Sequence, residues 1–261
     1  MVDCGVSNLL DKYVLFARVG PIAIVALALF LAVSAWIPFS QWPVKLVGGS
    51  AFFGIGAFVL AQLTRDAGKR IEPALWASWG GPPSVRFLRH RDPTIAAGSK
   101  TAMYRRLIEL GVVDRMPNED EERQDPDAAD AIYRTCSDWL RRKAMELKAK
   151  APFDVVQSEN ISYGFRRNLL GIRTYGLIVV AATVLITAGA FWSGRRPYIE
   201  SAAIISLELY LLTCVNAAAV KRAADEYAKR LLDALQSLSP PHPPAAPKAR
   251  SPKSAKRGTV A

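Results

Sequence analysis

Two pairs of apolar stretches, separated by a long charged insert, constrain this chain more than any other feature. The first pair covers 19–39 and 44–63, the second 175–192 and 202–220. Each is close to the ~20 apolar residues that a helix needs to cross a hydrocarbon core. Within lipid every backbone amide must find an internal partner, so such stretches cross as helices. The order therefore predicts an all-α membrane protein with four transmembrane helices (2 + 2) and a helical cytoplasmic insert between helices 2 and 3. The expected units are an N-terminal cytoplasmic segment (1–18), a transmembrane hairpin (19–63), a cytoplasmic helical sensor domain (64–174), a second hairpin (175–220), a cytoplasmic helix (221–238) and a disordered basic, proline-rich tail (239–261).

Lysine and arginine placement sets the expected orientation. The two short connections hold only Lys45, Arg195 and Arg196 of the 34 basic residues. The flanks that count are Arg65, Lys69 and Arg70 after the second stretch, Arg166, Arg167 and Arg173 before the third, and Lys221 and Arg222 after the fourth. Basic flanks stay in the cytoplasm, which puts both termini and the insert on the cytoplasmic side. Trp36, Trp42, Trp192 and Tyr198 then gather at the outer interface, where amphipathic rings are favoured. The first stretch is long enough to span and has no small-residue cleavage site after it, so it is read as a true span. Cys4, Cys136 and Cys214 show no metal spacing and are expected to be free thiols in a reducing compartment.

Along the chain, Ser50, Gly54, Ala57 and Ala61 form a small-residue stripe suited to close helix packing in lipid. The second span is expected to continue as a helix to Trp79 and to stop at the Gly-Gly-Pro-Pro of 80–83. Asp92 before Pro93 predicts a helix start, with Gly111 ending that helix. An acidic loop over 116–124 follows. Asp125 before Pro126 starts a further helix to about Lys150, with Ile132, Tyr133, Cys136, Trp139 and Leu140 on its core face. Residues 153–156 read as a short extended or turn piece after Pro152. An amphipathic helix over 159–170 leads into the third span, and the fourth is expected to run on as a helix past Lys221.

No catalytic constellation is visible, and the chain is not expected to be an enzyme. Its two histidines, His90 and His242, have no nucleophile or metal partner in any recognisable spacing, and no phosphate-binding glycine loop or paired cysteines occur. No cofactor is implied. Two features remain. Glu208 sits inside the fourth stretch, with Ser201 nearly aligned on the same helix face and Asn216 two turns on. An ionisable residue at that depth faces a bundle interior or water. In an oligomer these three would line a pore, with Glu208 forming a ring that favours cations; in a single subunit Glu208 would instead glue helices together. The second feature is a set of basic and aromatic clusters in the insert: Arg86, Arg89 and Arg91; Lys100, Tyr104, Arg105 and Arg106; and Tyr163, Arg166, Arg167 and Asn168. Arginine grips phosphate with two parallel bonds, and neighbouring rings stack on single-stranded bases. The alternative is contact with lipid headgroups and nearby carboxylates. The tail is basic and suits anionic lipid, solvent or nucleic acid.

The segments WASWGGPP (76–83), RFLRHRD (86–92), Met116-Pro117, Asp125-Pro126-Asp127 and ENISYGFRRN (159–168), set in the 2 + 2 layout, resemble bacterial membrane proteins encoded beside nucleotidyltransferases in antiphage defence operons, and among them the channel effectors of Hailong-type systems. The resemblance covers 19–220 and leaves out the tail. It implies an oligomeric ion channel of the bacterial cytoplasmic membrane, a tetramer in the simplest reading, held shut by single-stranded DNA oligomers that the partner nucleotidyltransferase makes. Loss of that DNA would open the channel and depolarise the cell. Two other readings stay open: a four-span effector opened by a cyclic oligonucleotide, and a non-enzymatic membrane scaffold that recruits a cytoplasmic protein through its acidic loop.

Overall fold

The computed structural model describes residues 13–34, 36, 42–195 and 198–239, with side chains left undescribed at 13–14, 33–34, 42–58, 198, 200 and 212. Every described element is helical. A π-helical run, Tyr13–Val19, leads into α1 (Gly20–Ser34), followed by α2 (Trp42–Ser78), α3 (Pro83–Arg86), α4 (Ala97–Glu109), α5 (Glu119–Gln124), α6 (Pro126–Glu146), α7 (Phe153–Trp192), α8 (Tyr198–Thr213) and α9 (Ala217–Ala234), closed by a 3-10 turn, Leu235–Ser237. Cys4, the side chains of Trp42, Ser50, Gly54, Ala57 and Tyr198, and the tail from 240 with His242 lie outside the described residues.

Helix limits follow local chemistry. Gly80 and Gly81 take positive φ, which only glycine adopts without strain, and end α2 before Pro82 and Pro83. Gly111 at φ 68° ends the turn after α4. The expected acidic loop contains a short helix, α5, because Asn118 and Glu121 form a reciprocal capping box. Asp125 caps α6 by accepting from the Ala128 amide.

Four expected boundaries differ. α4 begins at Ala97 rather than at Pro93, because the Asp92 carboxylate accepts from the Thr94 amide in a tight turn and faces Arg86. Residues 153–156 are helical, and the separate amphipathic helix and third span are one rod of 40 residues, α7. α8 stops at Thr213 and the chain breaks before α9, so the fourth stretch does not run on through Lys221.

Two large apolar cores lie along α7, with a smaller cluster of Tyr163 against Val220, Ala223 and Ala224 of α9. In the upper core, Val25, Ala28 and Ala32 of α1 pack on Leu169, Ile172 and Val180 of α7 and on Ile204 and Leu211 of α8. The lower core joins Phe87 and Leu88 to Met103 and Leu107 of α4, Tyr133, Cys136 and Leu140 of α6, and Phe153 and Val156 at the start of α7. Ala228, Leu231 and Leu232 of α9 complete it. Ile132 and Trp139 are only half-buried, so the core face of α6 is centred on Tyr133, Cys136 and Leu140. Two described segments are long and apolar enough to cross a membrane, Leu15–Ala32 and α7, and the apolar part of α8 is shorter, Ser201–Leu211.

Candidate functional site

The basic clusters of the insert separate into residues that hold the fold and residues left at its surface. Residues 86–92 form tight turns whose carbonyls point inward, and buried carbonyls need donors. Lys100, buried on α4, donates to the Arg89 and Asp92 carbonyls, and the Tyr104 hydroxyl donates to that of Leu88. Burial holds the Lys100 ammonium below its ordinary pKa despite the pull of Asp92 and Glu122, and pushes the Tyr104 hydroxyl up to about 12. Arg89 sets Nε and Nη2 on the two Asp130 oxygens at 2.8 and 2.5 Å and gives Nη1 to the Gly80 carbonyl at 2.7 Å. Arg86 reaches Asp225 of α9 at 3.0 Å and the Trp79 carbonyl at 3.2 Å.

Beside them lies Glu122, whose carboxylate accepts from the His90 amide at 2.7 Å, the Arg91 amide at 3.3 Å and the Tyr133 hydroxyl at 2.7 Å. Burial raises its pKa, but these donors and the Arg91 charge outweigh burial and hold the carboxyl below its ordinary value. The expectation that Arg86, Arg89, Lys100 and Tyr104 face a ligand is thus corrected. Each is turned inward onto a protein acceptor, and a phosphate would have to displace a carboxylate or a carbonyl to reach it. Arg91 is half-exposed, 3.6 Å from Glu122 and 3.9 Å from Asp130.

Arg105 is exposed on α4, and Arg106 beside it pairs with Glu109 at 3.0 Å. With Ala102 and Gln236 they line a recess of about 300 Å³. The Arg106 Nε has no hydrogen-bond partner among the described residues.

The third cluster is a buried polar node where the two cores meet. The Glu72 carboxylate on α2 accepts from the Tyr163 hydroxyl at 2.6 Å and from Arg167 Nη1 at 2.7 Å. Arg167 also donates to the Asn168 side-chain oxygen, and the Asn168 amide donates to the Ala17 carbonyl at 2.7 Å. Asn168 is fully buried. One turn on, Gly171 of α7 lies against Gly68 of α2 so closely that a Cβ there would stand 2.6 Å from the Gly68 nitrogen. Tyr163, Arg167 and Asn168 therefore tie α7 to α2 and to the π-helical run instead of binding a ligand. Glu72 was missed in the sequence; its signal is a carboxylate on the basic continuation of the second apolar stretch. Arg166 points the other way and is exposed.

On α8, Ser201 and Glu208 are half-buried beside the inward-facing Ile204, Leu207 and Leu211. Glu208 has no hydrogen bond or ion pair among the described residues. Asn216 does not belong with them: its side chain accepts from the Ala219 amide at 2.9 Å as the N-cap of α9, which removes it from the expected pore. Among the described residues no group of three or more His, Cys, Asp or Glu side chains could hold a metal ion. No family model, no curated protein and no solved structure matches this chain.

Proposed function

We propose that the protein is an oligomeric ion channel of the bacterial cytoplasmic membrane, an antiphage effector held closed by a single-stranded DNA oligomer on its cytoplasmic domain. The observation that carries this reading is α7. One helix of 40 residues, about 60 Å at 1.5 Å per residue, starts in the lower core at Phe153 and ends beyond the upper core at Trp192. A ligand that binds two arrangements of the lower domain unequally would bias the upper helices through this rod.

Four spans are favoured by the chain's path. α7 leaves the lower core and α9 is back in it, so a chain that crosses on α7 crosses back on α8. Asn168 bonds the Ala17 carbonyl while Arg167 bonds Glu72 and Gly171 meets Gly68, which supports a first hairpin with both ends on one side. α8 is about 24 Å long, short of the ~30 Å hydrocarbon core, a mismatch that local thinning and snorkelling flanks accommodate. Glu208 supplies the proposed acidic ring, since an acidic side chain without a partner among the described residues calls for water or a neighbouring subunit. On the domain, Arg105 and Arg106 line the recess offered to DNA phosphates, with Arg91 the other half-exposed candidate.

Ion flux through liposomes holding the full-length protein tests this. Suppression by short single-stranded DNA, lost in the R105E/R106E variant, is expected. Flux that appears only with a cyclic oligonucleotide would invert the gate. Absence of flux from a folded oligomer would sink the channel and favour a scaffold. A Glu208→Gln variant with unchanged ion selectivity would remove the acidic ring.

A further inference from the structure

A second recess lies where α8 breaks from α9. It measures about 280 Å³ and is lined by Arg166 and Leu169 of α7, Tyr210 of α8, Cys214 and Asn216 in the break, and Arg222 of α9, among others. Both arginines are exposed, and neither has a hydrogen bond or ion pair among the described residues. They differ in this from Arg86, Arg89 and Arg167, each of which is committed to a carboxylate.

The place of the recess is as informative as its charge. On one side stand Tyr210 and Leu169, at the foot of apolar α8 and within the apolar face of α7. On the other stands the start of α9, which carries Arg222 and whose later turns pack into the core of the charged lower domain. A recess that is apolar toward one core and doubly basic toward the other, with a tyrosine at the boundary, matches a phospholipid at the membrane surface. The chain enters the break through an exposed thiol, Cys214, which no described disulfide engages.

We propose that this recess binds the phosphate of an anionic phospholipid headgroup, with Arg166 and Arg222 each donating to its oxygens and the acyl chains lying along α8. Guanidinium groups suit this because they stay charged and present donors in a planar fork. One phosphate held by both would staple α7 to α9 across the chain break. The lipid would thereby fix the lower domain relative to the upper helices. The inference rests on the membrane reading above, though not on a pore or on DNA.

The test uses the full-length Cys4→Ser protein in a zwitterionic detergent, with maleimide labelling of Cys214 as readout. Short-chain phosphatidylglycerol is expected to slow labelling, and short-chain phosphatidylcholine to leave it unchanged. In the Arg166→Gln/Arg222→Gln variant, loss of two contacts of about 1 kcal/mol each predicts a roughly thirtyfold weaker half-effect concentration. Both arginines are surface residues, and unaltered tryptophan fluorescence would show that the variant stays folded. Equal protection of the variant, or equal effects of the two lipids, would overturn the proposal. Protection by inorganic phosphate at the same concentration as phosphatidylglycerol would reassign the recess to a free anion, and protection by single-stranded DNA alone to the nucleic acid. A protein that stays soluble without detergent would defeat the membrane reading itself, an outcome distinct from failure to bind lipid.

Discussion

Replacing Gly171 by alanine attacks the close contact that holds α7 against α2 beside the polar node. The new Cβ would stand 2.6 Å from the Gly68 nitrogen, 2.7 Å from the Ala67 carbonyl carbon and 2.8 Å from Gly68 Cα. All three are backbone atoms, so no side-chain rotation relieves the clash. Carbon atoms rest about 3.5–4.0 Å apart, which requires α2 and α7 to part locally by about 1 Å. Overpacking of this kind costs about 1–3 kcal/mol. The separation also stretches the Glu72 bonds to Tyr163 and Arg167 and the Asn168 bond to Ala17, now 2.6, 2.7 and 2.7 Å. Each such bond is worth about 1 kcal/mol net, more where charge is involved. Alanine returns about 1 kcal/mol of helix propensity, leaving a net loss of roughly 2–4 kcal/mol. Thermal unfolding in detergent, followed by tryptophan fluorescence, should show Tm lower by about 2–4 °C per kcal/mol. Gly98→Ala on α4 is the control, because a Cβ there meets nothing within 4 Å; it should hold or slightly raise Tm. If Gly171→Ala melts with the wild type, α2 and α7 do not approach at these glycines, and this packing is wrong.

Three further outcomes follow from local geometry. The Glu122 carboxyl is held below its ordinary value of 4.5, so its contribution to stability is complete above that pH and is lost as pH falls through the lower folded-state value. Glu122→Gln should lose about 1–3 kcal/mol at neutral pH and flatten the acid limb of a stability-versus-pH curve; an acid limb as steep as the wild type's would discount the role given to Glu122. Asn216→Ala should lower stability by about 1 kcal/mol through loss of the α9 cap, and Asn216→Asp should retain it; chemical denaturation of both variants distinguishes a cap from a pore residue. In lipid-free detergent and a Cys4→Ser background, Cys214 should react with maleimide at once. Cys136, buried with its thiol pushed up to about 11, should react only on unfolding, and equal rates would contradict its burial.

Backbone punctuation was readable from the chain because its causes are local. Gly80, Gly81 and Gly111 adopt the positive φ that their positions suggest, and Asp125 caps the helix that Pro126 opens. The all-helical character follows from the same periodicities. What could not be read is where charges spend themselves. Arg89 meets Asp130 and Arg86 meets Asp225, partners 41 and 139 positions away, and nothing local to RFLRHRD separates an arginine awaiting phosphate from one already paired. Asp92 misled for a related reason: its carboxylate serves a turn and an ion pair, leaving the helix to start later. In α9 the apolar spacing of Ala224, Ala228 and Leu231 is plain in the sequence, but the surface it covers is assembled from α2, α3, α4, α6 and α7 and carries no mark in the α9 residues themselves.

The docking of α9 also orders the birth of the molecule. Phe87, Leu107 and Tyr133 are synthesised early, yet the leucines that cover them arrive with the last described helix. Until then the lower domain presents an open apolar face. α8 packs back along α7, and α9 follows it into the lower core. A chain in which α9 fails to dock leaves Phe87, Leu107 and Tyr133 uncovered. The lower core is thus complete only when the last part of the chain has folded onto the first.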